Sequence, residues 1–460
     1  MYNPDAPIAA IATPPGKGGV ALIRVSGKNA VAVVAPCVRL RSGLSLTELA
    51  PRHTAYADFY EGGEVIDDVL VTVFRAPHSY TGEDTVEISC HGGILLSKTV
   101  LTALLTAGAV LAEPGEFTRR AVLSGRLSLT EAESIGSLLE AKSRAQISLS
   151  AAPARTQLSQ RLSALRSTLL ALISTLYAKI DYPEEDLADL SDEEICRTLS
   201  ALFSDMDKLL STYGTGHAIN EGIPTVLCGA PNVGKSSLYN LLTGEDLAIV
   251  TEHAGTTRDV LSVTASAGRV LLHLSDTAGL RESTDPVEQI GVSRSRTHMD
   301  AAELLLAVFD GTRVLRDEDR TLLSYLKDCG KCVIAVINKT DADTCVEEEE
   351  IKEVTPHVIR LSAKTGDGRE DLIACIEALF TDEALLLEND GILSSARQHA
   401  ALLRAREALE RSYRAFLAGY PADLASSDLE AALAEFSALD GHTVNEEILN
   451  DIFSRFCLGK

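Results

Sequence analysis

Apolar residues recur along this chain with two different periods. Leu158, Leu162, Leu165, Leu169, Ile173, Leu176 and Ile180 return every third or fourth position, the spacing of one helix face. Leu402, Ala405, Leu409, Tyr413 and Phe416 repeat the pattern, as do Leu429, Leu433 and Phe436. Ser128-Leu129-Thr130-Glu131 and Thr443-Val444-Asn445-Glu446 each set a hydroxyl three residues ahead of a glutamate, the pattern of a capping box at a helix start. Ile448, Ile452 and Phe456 follow the second one. Between the helical stretches the texture changes. Ile223-Pro224-Thr225-Val226-Leu227-Cys228, Arg269-Val270-Leu271-Leu272-His273-Leu274 and Cys332-Val333-Ile334-Ala335-Val336-Ile337 are short apolar runs, which read as buried strands. Residues 1–118 mix strand-like runs with glycine and proline turns. The pattern predicts an α+β domain over 1–118, helical segments over 119–215 and 381–460, and an α/β domain over 216–380 with a mostly parallel sheet. The two helical segments form one domain, into which the α/β domain is inserted. Insertion needs neighbouring termini, which α/β domains often provide.

Length agrees with several cores, because 460 residues exceed what one core supports. The net charge of −24 excludes a generic electrostatic binder of nucleic acid, which relies on clustered lysine and arginine. The Glu347–Glu350 run reads as a solvated face. No apolar run approaches the roughly 20 residues that span a bilayer, and the start has no charged segment followed by an apolar one, as a secretory signal would. Nine scattered cysteines fit reduced thiols in the cytoplasm. Cys329-Gly330-Lys331-Cys332 has no second pair, so a metal site is not expected there.

The chemistry lies where the strand-like runs end. After the first comes Gly229-Ala230-Pro231-Asn232-Val233-Gly234-Lys235-Ser236, then Ser237 and a helical stretch from Ser237-Leu238 onward. This is a phosphate-binding loop between strand and helix. Its glycines let backbone N–H groups face an anion, Lys235 reaches the terminal phosphates and Ser236 offers a hydroxyl to Mg²⁺. The helix N-terminus adds its dipole. Asp276-Thr277-Ala278-Gly279 closes the second run; Asp276 can hold the water shell of Mg²⁺ and Gly279 can donate to a γ-phosphate. Asn338-Lys339-Thr340-Asp341 closes the third. The Asp341 carboxylate can accept both N–H donors on the Watson–Crick edge of guanine, a pair that adenine lacks. Ser362-Ala363-Lys364 ends a further run, and its backbone can meet guanine O6. Together these motifs resemble the GTPases related to translation factors. In Ras-like switches a glutamine after Asp-x-x-Gly orients the attacking water. Leu280 stands at that place and cannot. Asn232 and the segment Thr251-Glu252-His253-Ala254-Gly255-Thr256-Thr257 offer neutral oxygens suited to a large, weakly charged cation.

Further motifs cover nearly the whole chain: Ala12-Thr13-Pro14-Pro15-Gly16-Lys17-Gly18-Gly19-Val20, Thr81-Gly82-Glu83-Asp84, His91-Gly92-Gly93, Pro114-Gly115-Glu116-Phe117-Thr118, Asp181-Tyr182-Pro183-Glu184-Glu185 and Phe456-Cys457-Leu458-Gly459-Lys460. On these the chain resembles the MnmE (TrmE) family of tRNA modification GTPases. The resemblance implies a folate-binding, dimerising N-terminal domain, a split helical domain and an inserted G domain. It implies a homodimer that works with the FAD-containing MnmG (GidA) to place an aminomethyl or carboxymethylaminomethyl group at C5 of the wobble uridine of certain tRNAs. It further implies K⁺ held by Asn232, Thr251, His253 and Thr256, Mg²⁺ held by Ser236 and Thr257, and a water-orienting catalytic Glu288. Read alone, Glu288 is one solvated acid in a loop.

By the same resemblance Arg24, Glu87, Arg126 and Lys460 contact a reduced folate, 5-formyl- or 5,10-methylene-tetrahydrofolate. The chemistry is reasonable, since a glutamate suits the pterin N–H edge and cations suit the glutamyl tail. Arg24 paired with a neighbouring carboxylate, and Glu87 as a strand-surface charge, remain open readings of the residues themselves. Arg126 departs from the family's common lysine but keeps the cation; Leu458 stands where isoleucine is common. Cys457 is open between a nucleophile and a plain free thiol. Two other functions share the G-domain motifs: a ribosome-assembly switch of the Era or Der type, which would need a basic RNA-binding appendage, and a purely regulatory dimeric GTPase, which would need no folate.

Overall fold

The computed structural model describes residues 5–181, 191–244, 248–249, 262–275, 298–388, 391–441, 446–454, 456–457 and 459. It divides into two compact units. One comprises residues 1–136, 159–190 and 408–460; the other comprises 137–158 and 191–407.

In the first unit, strands β1 (Ile8–Ile11), β2 (Val20–Ser26), β3 (Val38–Leu40), β4 (Thr54–Glu61), β5 (Glu64–Phe74), β6 (Thr85–His91) and β7 (Val110–Leu111) form a sheet in the order β3-β4-β5-β6-β2-β1-β7. Its pairs are antiparallel except β1 with β7. Alternation sets its two faces apart. Ile23, Val25, Val69, Val71, Val73, Val86 and Ile88 are buried with residues of the helices Ala30–Val34 and Ile94–Thr106. On the opposite face Tyr56 and Leu70 are exposed, as one-sided antiparallel sheets allow. Part of that face is covered by Phe117, buried against Ile8, Ala10 and Ala112.

The helical stripe of residues 158–180 lies on a helix spanning Ala152–Asp181, and Leu162, Leu169 and Leu176 are fully buried. The repeats after residue 400 lie on helices Ala396–Leu417 and Ala422–Asp440. The first capping box forms: Glu131 N donates to Ser128 Oγ at 3.1 Å and Ser128 N to the Glu131 carboxylate at 2.9 Å. Residues 443–445 of the second lie outside the described residues. The helix that follows, Glu446–Ser454, carries Phe453 against Gly115, where an added Cβ would stand 2.7 Å from the Phe453 carbonyl. Beyond it, Gly459 lies on the end of β1, where a Cβ would stand 2.5 Å from Ile11 O.

The second unit is built on strands β8 (Ile223–Cys228), β9 (Ala248–Ile249), β10 (Ser262–Ala267), β11 (Val270–Ser275), β12 (Leu304–Asp310), β13 (Cys332–Asn338) and β14 (Val358–Arg360), ordered β14-β13-β12-β8-β11-β10-β9. Strands β14, β13, β12, β8 and β11 pair in parallel, and β10 is antiparallel to both neighbours. Separate cores cover the two faces. Six consecutive residues, Leu304–Phe309, are buried, the continuous apolar run that a sheet covered on both sides requires. This is an α/β sheet, mostly parallel and covered on both faces, whereas the first unit holds a mostly antiparallel α+β sheet.

Candidate active site

The phosphate-binding loop joins β8 to a helix spanning Lys235–Thr243. The helix begins two residues before the apolar pattern indicates, because Lys235 and Ser236 are its first turn. Gly234 turns the chain into it at φ 101°, and its missing Cβ leaves room for Asn338, whose Nδ2 would be 2.1 Å from such a carbon. Gly229, at φ 149°, passes Val308 O with only 2.4 Å available to a Cβ. Asn232 holds φ 62° and Lys339 φ 67°. Such conformations cost non-glycine residues about 1–3 kcal/mol and persist where surrounding bonds fix them.

Those bonds come from the motif that closes β13. Asn338 is 2% exposed. Its Nδ2 donates to Val233 O at 2.9 Å and its Oδ1 accepts from Ala363 N at 2.9 Å, so one amide joins the phosphate loop to the Ser362–Lys364 loop. Lys339 Nζ donates to Asn232 O at 2.9 Å and to Asp310 Oδ2 at 2.6 Å. Thr340 N donates to Leu361 O at 3.4 Å. Ser362 Oγ donates to Asp341 Oδ1 at 2.9 Å, while Lys364 Nζ stands 3.9 Å from Oδ2. A carboxylate oriented in this way can accept the two N–H donors of guanine.

Lys235 Nζ donates to Gly229 O and Ala230 O, each at 2.9 Å. Burial holds its pKa below the usual lysine value. A phosphate brought to the loop offsets that cost with its own charge. Ser236 and Ser237 are exposed on the first turn, and the Ser236 hydroxyl fits one position on Mg²⁺. At the end of β8, burial pushes the Cys228 thiol up to about 12, so it stays a thiol. Asp310 was not foreseen. Burial raises its pKa, but bonds from Lys339 and from Thr312 N and Oγ1, at 3.0 and 2.7 Å, outweigh that and hold it below the ordinary value. The signal available was a single acid closing the apolar run Leu304–Phe309.

In the N-terminal sheet Arg24 and Glu87 are cross-strand partners on β2 and β6. Arg24 Nη2 and Nε lie 2.8 and 2.9 Å from Glu87 Oε1. The guanidinium lies 5.5 Å from the Tyr80 ring centre and 5.6 Å from that of Phe117. Arg126 is exposed, its Cγ beside Gly82. A buried network unforeseen in the sequence adjoins them: Arg120 reaches Glu116 at 2.9 Å and Glu83 at 3.3 Å, and Ser26 Oγ meets Thr81 Oγ1 at 2.7 Å. Cys457 is exposed. Residues Thr251–Thr257, Asp276–Gly279, Glu288 and Lys460 lie outside the described residues.

Residues 7–126 match the family description "GTP-binding protein TrmE N-terminus", and residues 129–457 match "MnmE helical domain". A tRNA modification GTPase MnmE of Heliobacterium modesticaldum is 41% identical over 98% of this chain and 99% of its own length. One from Thermotoga petrophila is 38% identical over the same shares. The chain belongs to the MnmE family of tRNA modification GTPases. Among solved structures, the G domain of the T. maritima FeoB iron transporter is 26% identical over 34% of this chain and 96% of its own, with a TM-score of 0.27; a score that low carries no argument.

Membership in the MnmE family makes the protein a GTP hydrolase acting in tRNA modification. Hydrogen bonds join residues 229–236, Asn338–Asp341 and Ser362–Lys364 into one assembly. Among the described residues no helix is long and apolar enough to cross a membrane.

Proposed function

We propose that this GTPase is activated by K⁺. With the FAD-containing MnmG (GidA), it adds an aminomethyl or carboxymethylaminomethyl group to C5 of the wobble uridine of certain tRNAs, using a one-carbon unit of reduced folate. The observation that carries the reading is the bonded assembly at the nucleotide site, found in a chain alignable with MnmE relatives over 98% of its length. Asp341 selects guanine, Lys235 and the helix N-terminus hold the phosphates, and Ser236 with Thr257 hold Mg²⁺. Leu280 in place of a glutamine leaves water orientation to Glu288. Asn232 is exposed on the loop, which suits it to share a K⁺ with Thr251, His253 and Thr256. A bound K⁺ supplies the positive charge that an arginine finger gives elsewhere.

The N-terminal segment binds the folate and dimerises. Arg24, Glu87, Arg126 and Lys460 serve that site, with the Arg24–Glu87 pair fixing one guanidinium beside two aromatic rings. The net charge of −24 favours tRNA contacts made largely through the partner, in the cytoplasm where tRNA is found. Nucleoside analysis of tRNA from a strain lacking the protein tests the reading. Loss of the C5-modified wobble uridine is expected; full modification without the protein contradicts it.

A further inference from the structure

In the second unit a cavity of about 450 Å³ lies among the helices Arg144–Ser150, Tyr213–Asn220 and Glu383–Glu388 and the turn between β10 and β11. That size falls within the range of about 300–1,000 Å³ typical of small-molecule sites. Its apolar lining includes Leu149, Ile219, Leu386 and Ile392, and two arginines, Arg144 and Arg269, line it with them. Neither arginine forms an ion pair among the described residues, although Glu383 belongs to the same lining. Both arginines are exposed, and in a chain of net charge −24 two guanidinium groups beside one partly apolar cavity offer an anion a local positive field. A guanidinium stays charged at any working pH and matches the paired oxygens of a carboxylate or phosphate.

The position of Arg269 connects the cavity to the nucleotide site. It directly precedes β11, whose last residue, Ser275, directly precedes Asp276. The paired strand β10 starts at Ser262, shortly after Thr257. The turn between them is pinned: Arg269 N donates to Glu377 Oε1 at 2.6 Å, and a Cβ on Gly268 would stand 2.4 Å from the same carboxyl. A ligand gripping Arg269 therefore bears on the hairpin that links two nucleotide-site segments.

We propose that this cavity is an effector site for an amphipathic anion, an apolar body carrying one carboxylate or phosphate headgroup, and that its occupancy changes the rate of GTP hydrolysis. The test uses the full chain saturated with GDP and Mg²⁺, so that the nucleotide site is filled, and calorimetry with octanoate, octyl phosphate and inorganic phosphate. Octanoate is expected to bind saturably at one site per chain. If octyl phosphate displaces it with higher affinity, the natural headgroup is a phosphate; if with lower, a carboxylate. Inorganic phosphate should not compete, because it has nothing to place on Leu149 and Leu386. Arg144→Ala with Arg269→Ala should weaken octanoate at least about tenfold, the worth of a charged hydrogen bond, with an unchanged melting temperature. Leu386→Ser should weaken octanoate as well. In turnover assays octanoate should shift the GTPase rate of the parent at least twofold and leave that of the double arginine variant unmoved. Absence of saturable binding, binding indifferent to the arginine variants, equal competition by inorganic phosphate, or a GTPase rate insensitive to octanoate would each overturn the proposal.

Discussion

In the β8–β14 sheet, buried on both faces, the polar groups of the nucleotide site stand just past the carboxyl ends of strands. In the β1–β7 sheet, open over part of one face, Arg24 and Glu87 sit within strands as a cross-strand pair. The first arrangement is usual for parallel sheets, whose ligands bind outside the strand ends. It gathers chemistry into contiguous residues, so that the start of one helix carries Lys235 and Ser236, and the end of β13 with the residues just past it carries Asn338, Lys339 and Asp341. The second spreads chemistry over residues 63 positions apart, joined only by sheet register. A group at a strand end is free to face a ligand. A group within a strand is first a partner to its neighbour, and binding must compete with that pairing or use it.

The comparison is most open to attack at Asp341. Asp341→Ala removes the acceptor for the guanine N–H edge. Sites built on such hydrogen bonds reject analogues by about 10⁴–10⁵, so most of the preference for GTP over ATP should vanish in competition binding. Retained preference would mean that the strand-end loops do not read the base. Next comes Gly234→Ala. With φ 101° and Asn338 Nδ2 2.1 Å from the new carbon, it should lower stability by about 1–3 kcal/mol in denaturant titration and weaken GDP binding with it. The Arg24–Glu87 pair should count for less. Its side chains are 16% and 24% exposed, and a double-mutant cycle should return a coupling of about 0.2–1 kcal/mol. A coupling near zero would make the two independent, free to meet a ligand as strand-end groups do.

The smallest effect belongs to His91, further along the same sheet. Its Nδ1 lies 2.7 Å from Asp67, and that hydrogen bond raises its pKa above the usual histidine value. A raised pKa in the folded chain means stabilisation present below the unfolded value of about 6.5 and lost as pH rises through the folded one. Stability measured from pH 6 to 8 should fall slightly through this term, and His91→Asn should flatten that part of the slope.

The same contrast governs how much could be read beforehand. The strands β8, β11 and β13 and the loops that follow β8 and β13 are visible as apolar runs closed by fixed motifs, and the helical stripes fall on the helices Ala152–Asp181, Ala396–Leu417 and Ala422–Asp440. The capping box at Ser128 is legible because its partners are local. What escaped is tertiary. Lys339 joins Asp310 to Asn232 only once β12 and β13 lie side by side. Arg120 acquires Glu83, 37 positions earlier, only when the Glu116–Leu123 helix is packed in place. Pairing of Arg24 with a carboxylate was one of two open readings, and only register identifies the partner as Glu87, itself a proposed folate contact.

The most direct test of the account is steady-state GTP hydrolysis in K⁺ against Na⁺, for the parent chain and for Asn232→Ala. The account predicts GTP turnover without ATP turnover, rates far higher in K⁺ than in Na⁺, and loss of the K⁺ response in Asn232→Ala with GTP binding largely kept. Equal rates in K⁺ and Na⁺ for the parent chain would contradict it.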